Sequence, residues 1–298
     1  MGEALIQTRK TAARRPGAAF MLSLVFPGLG QMYTGDLAGG IAFTLLRPLA
    51  IVAAPVWAAG RQASAVDVII IFMLIAAVLT IASPVEACMR ARRTAELPVC
   101  SYNAGGPYVL FTIAGIILHC AAIMVLAAFF SIRIYDGFRA GPLLSPGDII
   151  LVRHYIPDGP QRGDLALLDD GSAARVIARP GDRVKYVNNI FYINGRKLPL
   201  GYLDDIIIAR FAADRGDVLS ETGDAGPYPV RFRQSAEITL QGVNGLVGKD
   251  SLLVACDTRL DSDFARIVRA SSFSGRVEGV IFSRNFRKIG MDASGDLR

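Results

Sequence analysis

Histidine occurs twice in the 298 residues and cysteine four times, which leaves little material for a metal or redox centre. Cys88, Cys100, Cys120 and Cys256 have neither metal-ligand nor redox spacing. Cys88 and Cys120 lie in or beside apolar segments, where a thiol behaves as a small hydrophobe. Cys256 stands alone in the second half, so no disulfide forms within it. His119 lies in an apolar run and His154 follows a branched one, and both read as bonded or exposed rather than as general bases. A P-loop, a G-x-S-x-G elbow and an H-E-x-x-H helix are missing. So is any stripe of basic residues interleaved with aromatics, which argues against nucleic acid as a partner. The pairs Asp169-Asp170, Asp204-Asp205 and Asp261/Asp263 sit in polar, turn-like surroundings and read as solvated loops. Calcium needs more oxygen ligands than these supply, so neither a metal nor a cofactor is expected.

Apolar residues are abundant. They make up 52% of the chain, the mean hydropathy is +0.39, and the excess is uneven. Long uncharged runs fill the chain as far as about residue 130, and Asp, Arg and Gly return beyond it. The step divides a membrane domain, 1–130, from a second domain, 131–298. Segments 37–59, 66–89 and 106–130 are each near or above the ~20 residues that a helix needs to cross the hydrocarbon core. Arg47, followed by Pro48, interrupts the first; no mid-segment carboxylate partners it, so it reads as a snorkelling arginine or the mark of a displaced helix. Arg9, Lys10, Arg14 and Arg15 precede an apolar stretch with no small-residue cleavage site in the usual place, which is expected to be a retained anchor.

That stretch runs into FPGLGQMYTGD, where Pro27, Gly28 and Gly30 break a helix. Segment 18–33 is therefore predicted to be re-entrant or interfacial. The pattern PGLGQ-Y-G resembles a short bacterial membrane module of two closely linked apolar segments. Setting the basic N-terminus and Arg90, Arg92 and Arg93 on the cytoplasmic side sends 131–298 to the outer face. The expected location is a bacterial inner membrane, multi-pass, with the bilayer as first partner.

Past Ser131 the pattern becomes short strands with turns. In ARVIARPGDRVKYVNNIFYING, Ala174–Gly195, the P-G-D turn and the pair Asn188-Asn189 separate three branched or aromatic runs, predicting a small β-meander. Further strands are predicted at 148–152, 165–168, 228–233, 236–240, 251–256 and 276–282. The fold class is an α-helical membrane anchor followed by a mainly-β extracytoplasmic domain of antiparallel sheets.

The order of the pieces resembles the bacterial type I signal peptidase (leader peptidase) family across most of 131–283. Pro142, Leu143, Leu144, Ser145, Pro146, Gly147 and Asp148 followed by IILV resemble S-M-x-P-T-L-x-x-G-D and its strand. Arg162-Gly163-Asp164 resembles the family's R-G-D, and RVIARPGDRV, with Pro180, Gly181 and Asp182, resembles K-R-V-x-G-x-P-G-D-x-V. FYING at 191–195 fits Y-x-N-G. Cys256, Asp257, Thr258 and Arg259 resemble G-D-N-R, Ser262 to Arg266 resembles S-x-D-S-R, and Phe273 to Arg276 resembles the closing I-x-G-K/R.

The resemblance implies a serine that attacks a peptide carbonyl and a lysine of lowered pKa that takes its proton. Counting back from the two G-D pairs puts these at Arg139 and Ala174, neither of which supplies that chemistry. The family's second serine corresponds to Ala265 and its salt-bridging aspartate to Phe264. The scaffold motifs survive and the chemical ones do not. Ser145 and Ser172 are the nearest serines; Ser145 reads as turn bonding, and the nearest lysine, Lys185, follows the P-G-D turn rather than preceding it. The leading expectation is a homologue without the dyad that binds exported peptides or a partner. The alternatives are an active endopeptidase with a displaced site and a structural or assembly partner of another membrane protein.

Overall fold

The computed structural model describes residues 11–60, 65–93, 97–98, 101–102, 105–137, 141–203, 208–209, 211, 218–232, 240, 242–260 and 262–293. Two compact units divide the chain: residues 1–63 with 68–127, and 64–67 with 128–298.

The first unit is helical: α1 (Pro16–Val25), α2 (Leu29–Tyr33), α3 (Leu37–Gly60), α4 (Ala65–Arg93) and α5 (Gly105–Phe129). Three of these, over Leu37–Ala54, Val66–Arg93 and Gly105–Phe129, are long and apolar enough to cross a membrane. Their large apolar side chains point outward, Leu49, Ile81, Leu110 and Met124 all being more than half exposed. That arrangement is costly in water and neutral against lipid tails. Arg47 lies within α3, its Nε shielded from solvent and unbonded.

Between α1 and α2 the chain reverses. Gly28 adopts φ +99°, and a Cβ there would meet the Gly40 carbonyl oxygen at 2.4 Å, so glycine is required. The break frees backbone groups that side chains then satisfy: Gly28 N–H donates to Ser83 Oγ (3.3 Å) and Thr44 Oγ1 donates to the Pro27 carbonyl (2.8 Å). Gln31, fully buried, donates to the Ser83 carbonyl and to Glu86 (2.9 Å) and accepts from the Ser23 hydroxyl. Such repair is what an interrupted helix in an apolar medium needs. The reversal returns Tyr33 to where α1 began: Arg15 N–H donates to Tyr33 Oη (3.2 Å), and the Arg14 guanidinium lies 4.8 Å over the ring. A two-residue ladder between β1 (Thr11–Ala12) and β2 (Leu97–Pro98) and the Asp36–Arg90 ion pair (2.7 Å) gather at the same end.

The second unit is built of strands β3 (Phe130–Tyr135), β4 (Asp148–Arg153), β5 (Leu165–Leu168), β6 (Ala173–Ala178), β7 (Arg183–Val187), β8 (Ile190–Ile193), β9 (Arg196–Lys197) and β10 (Leu200–Tyr202). After these come β11 (Val218–Gly223), β12 (Gly226–Phe232), β13 (Gly245–Leu246), β14 (Ser251–Ala255), β15 (Thr258–Arg259), β16 (Ala265–Arg269) and β17 (Phe273–Phe282). A seven-stranded antiparallel sheet runs β16-β14-β6-β5-β17-β4-β3. Beside it stand two four-stranded sheets, β13-β7-β8-β9 and β10-β11-β12-β15; in the second, β12 and β15 pair in parallel. The fold is the anticipated helical anchor and mainly-β domain.

One local expectation is corrected. The run from Ala174 to Gly195 is not a single meander, because the P-G-D turn carries the chain from one sheet to another. β6 is already flanked by β5 and β14 and has no free edge to offer β7. Only β7, β8 and β9 form the meander, turning on Asn188 and Asn189 (φ 51° and 61°) and again on Asn194 and Gly195 (φ 52° and 80°). Consecutive positive φ values match the strand twist across a two-residue turn, and Asn tolerates them. The predicted strand at 236–240 falls mostly outside the described residues, as do Arg139, Asp204, Asp205 and Asp261.

Candidate functional site

The three G-D motifs share one geometry. Asp148, Asp164 and Asp182 each accept the N–H of the residue three back (Ser145, Gln161 and Arg179; 2.7–2.8 Å). Each also returns its own N–H to the carbonyl of that residue. The glycine between has φ of 87°, 93° or 86°, the left-handed value that the third position of such a turn demands. The turn at Gly163 also requires glycine at position 223, since a Cβ on Gly223 would lie 2.8 Å from the Gly163 Cα. Arg162 then clamps Asp182 with two bonds (2.6 and 2.9 Å), so the R-G-D and P-G-D motifs lock together. Burial works against that carboxylate, but Arg162, the Arg179 N–H and Asn194 together hold it down at about 2.

The D-x-R box is equally structural. Arg175 and Asp257, both within 1% of full burial, pair through Nη2 and Oδ2 (2.6 Å) and Nε and Oδ1 (3.2 Å). Arg259 pairs with Glu221 through both guanidinium Nη atoms, and Tyr228 donates to the same carboxylate (2.6 Å). Burial, with Glu221 adding to it, lifts the Tyr228 hydroxyl well above its ordinary value, which fixes it as a donor. Phe264 fills the position where the resemblance calls for an aspartate. It packs edge-on against Tyr186 and Phe191 and lies under the Arg259 guanidinium at 5.5 Å. A ring quadrupole thus stands where a charge is expected. Arg266 is exposed and pairs with Asp170 (2.6 Å), whose carboxyl the Ser172 hydroxyl and Arg266 hold at about 2.

Ala174, where the motif resemblance calls for the lysine, is 4% exposed in an apolar cluster with Leu168, Val176, Leu252 and Val254. Ala265 is buried at the start of β16. Pro142, Leu143 and Leu144 are buried, the two leucines in a core cluster with Tyr135 and Val277. Ser172 is engaged by Asp170 and Arg266, and Lys185 is exposed on β7.

A serine–lysine contact does occur, at a place the sequence does not advertise. Lys288, 4% exposed on the short 3₁₀ turn Phe286–Lys288, donates from Nζ to Ser145 Oγ (2.8 Å). The turn is held by Asn285, which accepts the Arg287 N–H, and by the return of Gly290 and Met291 onto Val280. Burial lowers the Lys288 pKa, and the carboxylate of Asp148 opposes that shift. The partners are 143 positions apart, with no motif around the lysine. For acyl transfer the two backbone positions nearest the hydroxyl offer no free donor: the Ser145 N–H is committed to Asp148, and Pro146 has none. His154 also contacts a serine, with Nε2 2.8 Å from Ser131 Oγ and Nδ1 3.0 Å from the Ser274 carbonyl. Ser131 lies within the ladder of β3 on β4, without a turn to present its hydroxyl.

Residues 108–282, more than half of the chain, match the family model described as "Signal peptidase, peptidase S26". Signal peptidase I of Streptococcus pneumoniae (serotype 4 strain) is 31% identical over 132 residues, which is 41% of this chain and 63% of that protein. Signal peptidase I of Bacillus caldolyticus is 35% identical over 80 residues, 25% of this chain and 44% of the relative. Each match spans less than two thirds of the relative's own length. The shared motifs and the shared domain lead to one family: the chain belongs to the signal peptidases, peptidase family S26.

Proposed function

We propose that this chain is a membrane-bound signal peptidase homologue that holds exported polypeptide segments, or a membrane partner, without cleaving them at the family's position. One observation carries this reading: the lysine-equivalent residue is Ala174, closed into an apolar cluster between β5 and β14. With Arg139 at the serine-equivalent position, neither nucleophile nor base is left there. The surrounding sheet still offers edges at β3 and β16, and main-chain pairing along an edge needs no nucleophile. In this reading the protein crosses an inner membrane several times, with Arg14, Arg15 and Arg90 inside and the β unit on the periplasmic side. The return of Tyr33 to Arg14 and Arg15 supports it, since segment 16–33 starts and ends at one end of the helical unit.

The test is retention of a radiolabelled pre-protein by the purified full-length chain in detergent. Binding is expected, and Arg139→Ala should change the affinity several-fold by removing a positive charge that pairs with a carboxylate of the bound segment. No measurable retention overturns the reading.

The Ser145–Lys288 contact favours a second reading, an endopeptidase with a displaced site. It ranks second because the oxyanion of such a reaction would have to find its donors away from Ser145. A pre-protein cut that disappears in Ser145→Ala marks this reading.

A further inference from the structure

One end of the helical unit collects arginines with few carboxylates to match them. Tyr33 packs against Ala19, Ala87 and Ala91, which sets Arg14, stacked on its ring, beside the last turn of α4 and its Arg90, Arg92 and Arg93. Of the described carboxylates here, Asp36 is taken by Arg90 and Glu86 by Gln31. Arg92 and Arg93 are exposed and form no ion pair among the described residues. Arg14 is different in kind: its Nε and Nη2 are shielded from solvent yet have no hydrogen-bond partner among the described residues. Idle, shielded N–H groups on a cation carry an uncompensated desolvation cost, and a planar guanidinium fork fits a pair of phosphate oxygens. Along α1, which Arg14 precedes, the apolar side chains of Met21, Leu24 and Val25 are exposed. A polar anion beside an apolar flank is the outline of a phospholipid.

We propose that Arg14, with Arg15 next to it and Arg92 at the same end of the helical unit, binds the phosphate of an anionic phospholipid, whose acyl chains lie along α1. The Tyr33 ring fixes the guanidinium in advance, so the site is stoichiometric rather than a diffuse attraction between a basic surface and a membrane.

Native mass spectrometry of the full-length chain, released from micelles doped with phosphatidylglycerol or phosphatidylcholine, tests this. One phosphatidylglycerol should be retained per chain in preference to phosphatidylcholine. Arg14→Gln should weaken that retention about fivefold, the scale for one basic residue at a membrane surface. If Arg14→Gln melts early, the exposed pair Arg92→Gln with Arg93→Gln carries the same expectation. Equal retention of the two lipids, or retention unchanged in every variant, overturns the proposal. Displacement of the lipid by equimolar inorganic phosphate also overturns it and assigns the site to the free anion.

Discussion

Asp182 shows what a motif residue holds in place. Its carboxylate receives Arg162 twice, the Arg179 N–H and the Asn194 amide, and so joins three loops. Held at about 2 against an ordinary 3.8, it is a depressed acid. The stability it contributes is fully present above the ordinary value and is lost as pH falls through the folded one, between about pH 4 and 2. A shift of this size corresponds to on the order of 2 kcal/mol. Guanidinium unfolding of the β unit, in the full chain in detergent, should show its midpoint falling across that window, and falling less in Asp182→Asn. Equal slopes for the two proteins would remove Asp182 from the acid response. This residue was legible in the sequence, because Pro180-Gly181-Asp182 is a turn in any context. Glu221 was not: it meets Arg259 across 38 positions, and an isolated glutamate carries no local sign that a buried arginine awaits it. The same holds for Lys288, whose role depends on a chain return that no periodicity encodes.

At the scale of elements, alternation and turn chemistry located β4 to β8, β12, β14 and β17; they missed β3, β10, β11 and β16, and the sheet to which each strand belongs. β7 alternates as a strand with one buried face does, with Val184 and Tyr186 buried and Arg183, Lys185 and Val187 exposed. β6 is buried at all six positions, the mark of a central strand covered on both faces. That contrast in the sequence was the available sign that the two belong to different sheets. The Asn188-Asn189 turn gives a sharp test of the meander. Asn188→Val puts a β-branched residue at φ 51° and should cost about 1–2 kcal/mol, read as an earlier thermal melt of the β unit. Asn188→Gly should be close to neutral; a large loss there, with none in the valine variant, would contradict the turn assignment. In the helical unit, Pro27 and Gly28 announced the break, whereas the partners that repair it (Thr44, Ser83 and Glu86) come from helices far along the chain.

For the whole molecule, composition alone separated an apolar helical part from a mainly-β part, and seven ordered motifs pointed to the family. What the family's chemistry requires is a nucleophile, a base and oxyanion donors around one carbonyl. Here the residue at which the motif resemblance calls for the base, Ala174, is packed in an apolar cluster, and the described serine–lysine contact stands on a turn whose N–H is already in use. The direct measurement is incubation of a secretory pre-protein with the full-length chain in detergent over many hours, with intact-mass analysis of the products. The account predicts pre-protein of unchanged mass, in the unaltered chain and in Ser145→Ala alike. A discrete shorter product made by the unaltered chain and lost in Ser145→Ala would contradict it, and would make Ser145 and Lys288 the working site.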